Sequence, residues 1–173
     1  MPHPLIGKQA PPLTLPSTPD GTPYTLPIGQ KPIAIFFFPK AFTTGCTKEA
    51  CAFRDAKKDN IVFQGTGSDE LEVVGISRDA VEKQTRFADQ HKLGYRILSD
   101  ADGSARKSYS VSKAAMGLID GRETFFIGKD GIVKDVCDKM IDWNSHTQMV
   151  EKQLKLAATP TVTSTAPAPA VST

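Results

Sequence analysis

The run Ile33-Ala34-Ile35-Phe36-Phe37-Phe38, held between Pro32 and Pro39, constrains this chain more than any other stretch. It contains no polar residue, so a strand built from it must be covered on both faces. Strands of that kind lie in the middle of α/β sheets, with helices packed above and below. Pro39 ends the run because it has no N–H for a sheet ladder. Cys46 to Lys58 then reads as a helix. Cys46, Ala50, Phe53 and Lys57 trace one stripe, while Lys48, Glu49, Asp55 and Lys58 fall mostly off it; a solvated face is the expectation for Lys48 and Glu49, with a place behind Cys46 as the alternative. Leu71 to Ile76 is the next strand. Strand, helix and strand in that order make a parallel crossover, right-handed in nearly all cases.

The rest of the chain extends the same architecture. Pro12 to Pro16 and Pro23 to Pro27 flank the turn signals Thr18-Pro19-Asp20-Gly21, which predicts a short edge hairpin. Asp79 to His91 reads as a helix, Tyr95 to Leu98 as a short strand and Ala105 to Tyr109 as a helical turn. Thr124 to Ile127 and Ile132 to Val136 bracket Gly128-Lys129-Asp130-Gly131, a hairpin signal. Asn144 to Leu156 is the last helix. The expectation is one three-layer α/β domain over residues 1–156, with a mixed central sheet flanked by helices and an N-terminal β-hairpin. From Ala157 to Thr173 only Ala, Pro, Thr, Ser and Val occur, and this tail is expected to be disordered.

Composition narrows the function. Lys and Arg total 21 against 19 Asp and Glu, a net charge of +2. That balance argues against a nucleic-acid binder held by phosphate neutralisation and against a polybasic membrane patch. No apolar stretch approaches the roughly 20 residues of a membrane span. The N-terminal residues lack a secretory pattern, so the cytosol is the default address, with nucleus and mitochondrion left open. Three cysteines are too few for a disulfide scaffold. Cys46 and Cys51 have the wrong spacing for a zinc site or a C-x-x-C redox pair, and His3, His91 and His146 are scattered. No metal or cofactor is expected.

The chemistry concentrates between Phe38 and Cys51. Cys46 follows a buried strand and opens a helix, where amides without internal partners favour a thiolate over a thiol. Pro39 can wall the sulfur off from water. Thr43 lies three residues before Cys46, and a tight turn brings its hydroxyl towards the sulfur, in position to bond an oxygen of a bound substrate. Gly45 lets backbone pass close to a substrate. Each has an ordinary explanation as strand terminator, helix cap or turn residue. Their joint placement around one helix-start cysteine is what points to a reactive thiol. Cys137 lies in a strand pattern and is expected to be a buried structural thiol.

Pro39, Thr43 and Cys46 spell Pro-x-x-x-Thr-x-x-Cys, which resembles the active-site motif of the peroxiredoxins. Gly45-Cys46-Thr47-Lys48-Glu49-Ala50-Cys51, followed by Phe53-Arg54-Asp55, is similar to the peroxiredoxin Q group, also called bacterioferritin comigratory proteins. Gly7 to Pro11, Val74 to Ser77, Leu98 to Asp100 and Arg122-x-Thr124-Phe125 carry the likeness across roughly residues 5 to 155. The resemblance implies a thioredoxin-like fold, Cys46 as peroxidatic and Cys51 as resolving cysteine, and Arg122 as the cation that holds the thiolate and orients the peroxide. It further implies a hydroperoxide substrate, an intramolecular disulfide recycled by thioredoxin, a monomer, and a role in antioxidant defence. Ala41 and Phe42 depart from the acidic or small residues usual in that group, and Phe42 is expected to alter the site mouth.

A constraint follows if Cys46 and Cys51 do pair. Five residues of ideal helix put their α-carbons on the order of 8–9 Å apart on different faces. A disulfide needs roughly 4.4–6.8 Å, so the helix has to unwind. Two alternatives stay open: a one-cysteine peroxidase in which Cys51 is structural, and a peroxide sensor or holdase with little turnover.

Overall fold

The computed structural model describes residues 1–159. The elements run β1 (Thr14–Pro16), β2 (Pro23–Thr25), β3 (Ile33–Phe37), α1 (Thr44–Asp59), α2 (Ile61–Gln64), β4 (Glu72–Ser77), α3 (Val81–His91), β5 (Arg96–Ser99), α4 (Ser104–Ser108), β6 (Lys113–Ala114), β7 (Ile119–Asp120), β8 (Glu123–Ile127), β9 (Val133–Cys137) and α5 (Trp143–Ala158). The main sheet has the order β5-β4-β3-β8-β9. β3, β4 and β5 are parallel, whereas β8 and β9 are antiparallel to their neighbours. This is the mixed sheet expected from the sequence, with the proline-rich segments forming the β1–β2 hairpin.

β3 sits at the centre with all five residues buried, as its apolar run requires. Its side chains alternate between two core layers. Ala34 and Phe36, with Phe38 just beyond the strand, share one layer with Cys46 and Phe53 of α1, Phe87 of α3 and Val150 of α5. Ile33, Ile35 and Phe37 face the other, with Leu15, Tyr109 and Phe125. The Phe36 ring stacks on Phe53 at 4.8 Å between centroids. Burying a ring like Phe53 contributes roughly 1.5–3 kcal/mol, and here it seats α1 on the sheet beneath Cys46.

α1 starts two residues before Cys46, and α5 continues through Ala157 and Ala158. The remainder of the expected tail, residues 160–173, lies outside the described residues. The short helix α2 and the β6–β7 hairpin have no periodic pattern and are seen only in the structure. Among the described residues, no helix is long and apolar enough to cross a membrane.

Candidate active site

The loop from Pro39 to Thr43 delivers Cys46 to the start of α1. Asp79 pins that loop: its Oδ2 accepts from the Ala41 amide at 2.8 Å and from the Ser77 hydroxyl at 2.9 Å. Phe42 takes a left-handed backbone with φ of 68°, which costs a non-glycine residue roughly 1–2 kcal/mol. Its half-exposed ring meets Phe87 edge-on at 5.3 Å. Thr43 is the N-cap residue, yet its side chain does not cap the helix. Its hydroxyl donates to the Lys40 carbonyl at 2.9 Å. The amides of Thr44, Gly45 and Cys46, the first three of the helix, therefore keep their N–H groups free.

Cys46 is 1% exposed, and its sulfur accepts from Nη2 of Arg122 at 3.3 Å. Arg122, just before β8, divides its five donors. Nη1 donates to Oε2 of Glu49, and Nε donates to the Met140 carbonyl at 3.1 Å. Burial works against the guanidinium charge, but Glu49 and Cys46 outweigh it and hold Arg122 above its ordinary value. Gly45 makes room for this: a β-carbon there would lie 3.1 Å from Nη2 of Arg122. Gly121, just before Arg122, is required for another reason: a β-carbon on it would strike the Ser112 carbonyl oxygen at 2.1 Å.

Arg106 of α4 braces the two chain segments that carry the site. Its Nη2 donates to the Phe38 carbonyl at 2.6 Å, and its Nη1 to the Gly121 carbonyl at 3.0 Å. The end of β3 and the residue preceding Arg122 are thereby tied to one rigid side chain.

Glu49 corrects the sequence reading. Expected on a solvated face, it is fully buried. The signal was present in the spacing: Glu49 is three residues after Cys46 and four before Phe53, on the same inward stripe. Burial pushes its carboxyl up to about 7, against the pull of Arg122. His146 of α5, also fully buried, lies 3.4 Å away, from Nδ1 to Oε1 of Glu49. Lys48, by contrast, is exposed and sits over the Trp143 ring at 4.6 Å.

The fold thus gathers Cys46, Arg122 and Gly45 into one centre. Pro39 stands half-buried at the end of β3, and Thr43 is one step outside the helix. Cys51 is half-buried on α1, which runs unbroken past both cysteines, and both thiols are free. Tyr95 marks that region: its hydroxyl donates to the Ala50 carbonyl at 2.6 Å. Cys137 is buried at the end of β9, and burial pushes its thiol up. Chemically, the centre holds one sulfur between a fixed cation and a row of free amides, which suits attack on a neutral electrophile that releases an anion.

Comparison with known proteins agrees with that chemistry. The AhpC/TSA family profile matches residues 6–136. The chain belongs to the AhpC/TSA family. It is 37% identical over 151 residues to the chloroplastic peroxiredoxin Q of Sedum lineare, covering 87% of this chain and 76% of that protein. A putative peroxiredoxin of Mycobacterium tuberculosis is 37% identical over 130 residues, 73% of this chain and 80% of its own. Among solved structures, the M. tuberculosis peroxidoxin BcpB superposes with a TM-score of 0.76 at 33% identity, over 89% of this chain and 98% of that one. Xanthomonas campestris peroxiredoxin Q gives 0.73 at 25% identity, over 85% and 92%. Membership of this family makes thiol-dependent peroxidase the functional class and confirms the thioredoxin-like architecture.

Proposed function

We propose that the chain reduces hydrogen peroxide and organic hydroperoxides through Cys46, with Cys51 as its resolving partner. The observation that carries this reading is the 3.3 Å contact between the Cys46 sulfur and Arg122 in the first turn of α1. The thiolate attacks the terminal peroxide oxygen and the O–O bond breaks. Sulfur becomes a sulfenic acid, and the leaving alkoxide or hydroxide takes up one proton. Arg122 and the amides meet the charge that builds on the oxygens. The Thr43 hydroxyl, whose proton is spent on Lys40, keeps lone pairs with which to accept the peroxide O–H. Pro39 shields the sulfur, and Gly45 leaves the approach open.

Cys51 then attacks the sulfenic sulfur, water departs, and a disulfide forms. α1 as folded keeps the two sulfurs apart, so its first two turns have to open at this step. A dithiol reductant, thioredoxin or a close analogue, restores both thiols by exchange, in a reducing compartment such as the cytosol. The chain is read as a monomer, with Cys46 and Cys51 supplied by the same chain. Peroxide removal of this kind serves antioxidant defence.

Cys51→Ser with a thioredoxin reducing system tests it. The first oxidation of Cys46 stays fast while sustained turnover falls on the order of 10²-fold or more. Undiminished turnover would assign the reaction to Cys46 alone, the one-cysteine reading.

A further inference from the structure

Behind Arg122 lies a buried chain of polar groups whose hydrogen bonds close only with one proton more than a bare Glu49 carboxylate and a neutral His146 supply. Nε2 of His146 stands 2.8 Å from the Lys139 carbonyl. A carbonyl only accepts, so Nε2 carries a proton. Nδ1 stands 2.8 Å from the Thr124 hydroxyl and 3.4 Å from Oε1 of Glu49. Oε1 is buried and has no hydrogen-bond donor among the described residues. The Thr124 hydroxyl can satisfy Nδ1 with its single hydrogen. With a carboxylate and a neutral imidazole, Oε1 is then left bare in a site where Glu49 and His146 are both 0% exposed.

One added proton satisfies both groups, in either of two arrangements. Glu49 can donate it from Oε1 to Nδ1, or a doubly protonated imidazole can donate it from Nδ1 to Oε1. Shifting one hydrogen between the two atoms converts one into the other.

We propose that Glu49, Thr124 and His146 form a buried proton store that keeps Glu49 neutral while Cys46 is a thiolate. His146 and Thr124 are then positioning residues for the peroxide reaction, acting through Glu49 and Arg122. This rests on Cys46 being the reacting thiol. Two anions beside one guanidinium in a dry site compete for its charge. A neutral Glu49 leaves the charge of Arg122 to the sulfur.

The surrounding charges favour Glu49 as the holder. Burial pushes Glu49 up to about 7, whereas burial and then Arg122 hold His146 below its usual range. Asp138 and Asp142, on the approach to α5, act the other way on the imidazole without overturning that direction. Cys137 faces Glu49 from β9, and burial favours its neutral thiol.

Infrared difference spectra of the reduced full-length protein against Glu49→Gln test this without reference to activity. The proposal expects a protonated-carboxyl band that vanishes as pH rises through about 7. His146→Leu removes the acceptor of the Glu49 proton and moves that loss down by about one pH unit, a tenfold change in proton affinity. Thr124→Val takes away the hydroxyl that competes for Nδ1 and moves it up. His146→Asn, whose amide oxygen replaces Nδ1, returns it towards the parent value. A purely structural role for these residues would not give opposite shifts. A band absent from the parent protein below pH 7, or unmoved by both Leu and Val variants, overturns the proton store. Sulfenic acid formation at Cys46 is followed separately in stopped flow. If it is normal while the band is absent, this inference alone fails. If Cys46 does not oxidise, the peroxidase reading falls and takes the role of the store with it.

Discussion

The Cys46 sulfur and Nη2 of Arg122 lie 3.3 Å apart although 76 residues separate them in the chain. Their meeting depends on the antiparallel pairing of β3 with β8, which brings the end of one strand beside the beginning of the other. Arg122→Lys keeps the charge but loses the planar fork that reaches sulfur, Glu49 and Met140 together. The second-order rate constant with hydrogen peroxide is expected to fall on the order of 10²-fold, the scale of losing one aimed donor. Arg122→Gln should also cost stability more at pH 8 than at pH 5.5, because in the parent protein Arg122 pairs with a charged Glu49 only above about 7. Chemical denaturation at the two pH values measures that difference.

Gly45 is expected to matter for the arginine more than for the helix. Gly45→Ala places a methyl group 3.1 Å from Nη2 of Arg122. Alanine is the better helix former by roughly 1 kcal/mol, so stability should hold or rise. Peroxide reactivity should drop as the guanidinium is pushed off the sulfur. A variant with unchanged kinetics would mean that the guanidinium yields without loss.

Stability should carry the signature of Glu49. Its carboxyl is raised in the folded protein, so the native state binds more protons than the unfolded one between about pH 4.5 and 7. The contribution is complete below that window and is lost as pH rises through it, on the order of 1–3 kcal/mol. His146, held low by burial, has the opposite sign: its contribution is complete above its unfolded value and is lost as pH falls. Glu49→Gln should therefore remove the fall in stability towards neutral pH and leave the rise due to His146. Denaturant midpoints across that range read both.

Much of this fold was legible because the sheet is legible. An all-apolar Ile33–Phe38 allows only a central strand, and the turn signals place the two hairpins. Cys46 was legible because strand, proline, loop and helix-start cysteine are adjacent in sequence. The supports were not. Asp79, Arg106 and His146 reach the site from the β4–α3 connection, α4 and α5 through side-chain contacts, and no local pattern reports such a reach. Glu49 was misassigned because its charge outweighed its spacing. Arg122 could be assigned only by resemblance, since a lone arginine at a strand end reads as surface charge.

Tyr95 should govern how readily α1 opens. Its hydroxyl is fixed on the Ala50 carbonyl, one residue before Cys51, and its ring packs edge-on against Phe36 at 5.9 Å. Tyr95→Phe removes that bond and little else, a loss of about 1 kcal/mol. The amides around Ala50 to Arg54 should exchange faster, and disulfide closure after peroxide should quicken about fivefold. Unchanged closure would place the rate-limiting opening elsewhere.

The central claim is that Cys46 and Cys51 close a disulfide at the expense of α1. The most direct test is intact mass after one equivalent of hydrogen peroxide, sampled from milliseconds to seconds, with peptide mapping and amide exchange on the same samples. The account predicts rapid loss of two hydrogens, a Cys46–Cys51 linkage, and lost protection over residues 44–55 only in the oxidised protein. A persistent gain of one oxygen, or a disulfide formed with protection unchanged, would contradict it.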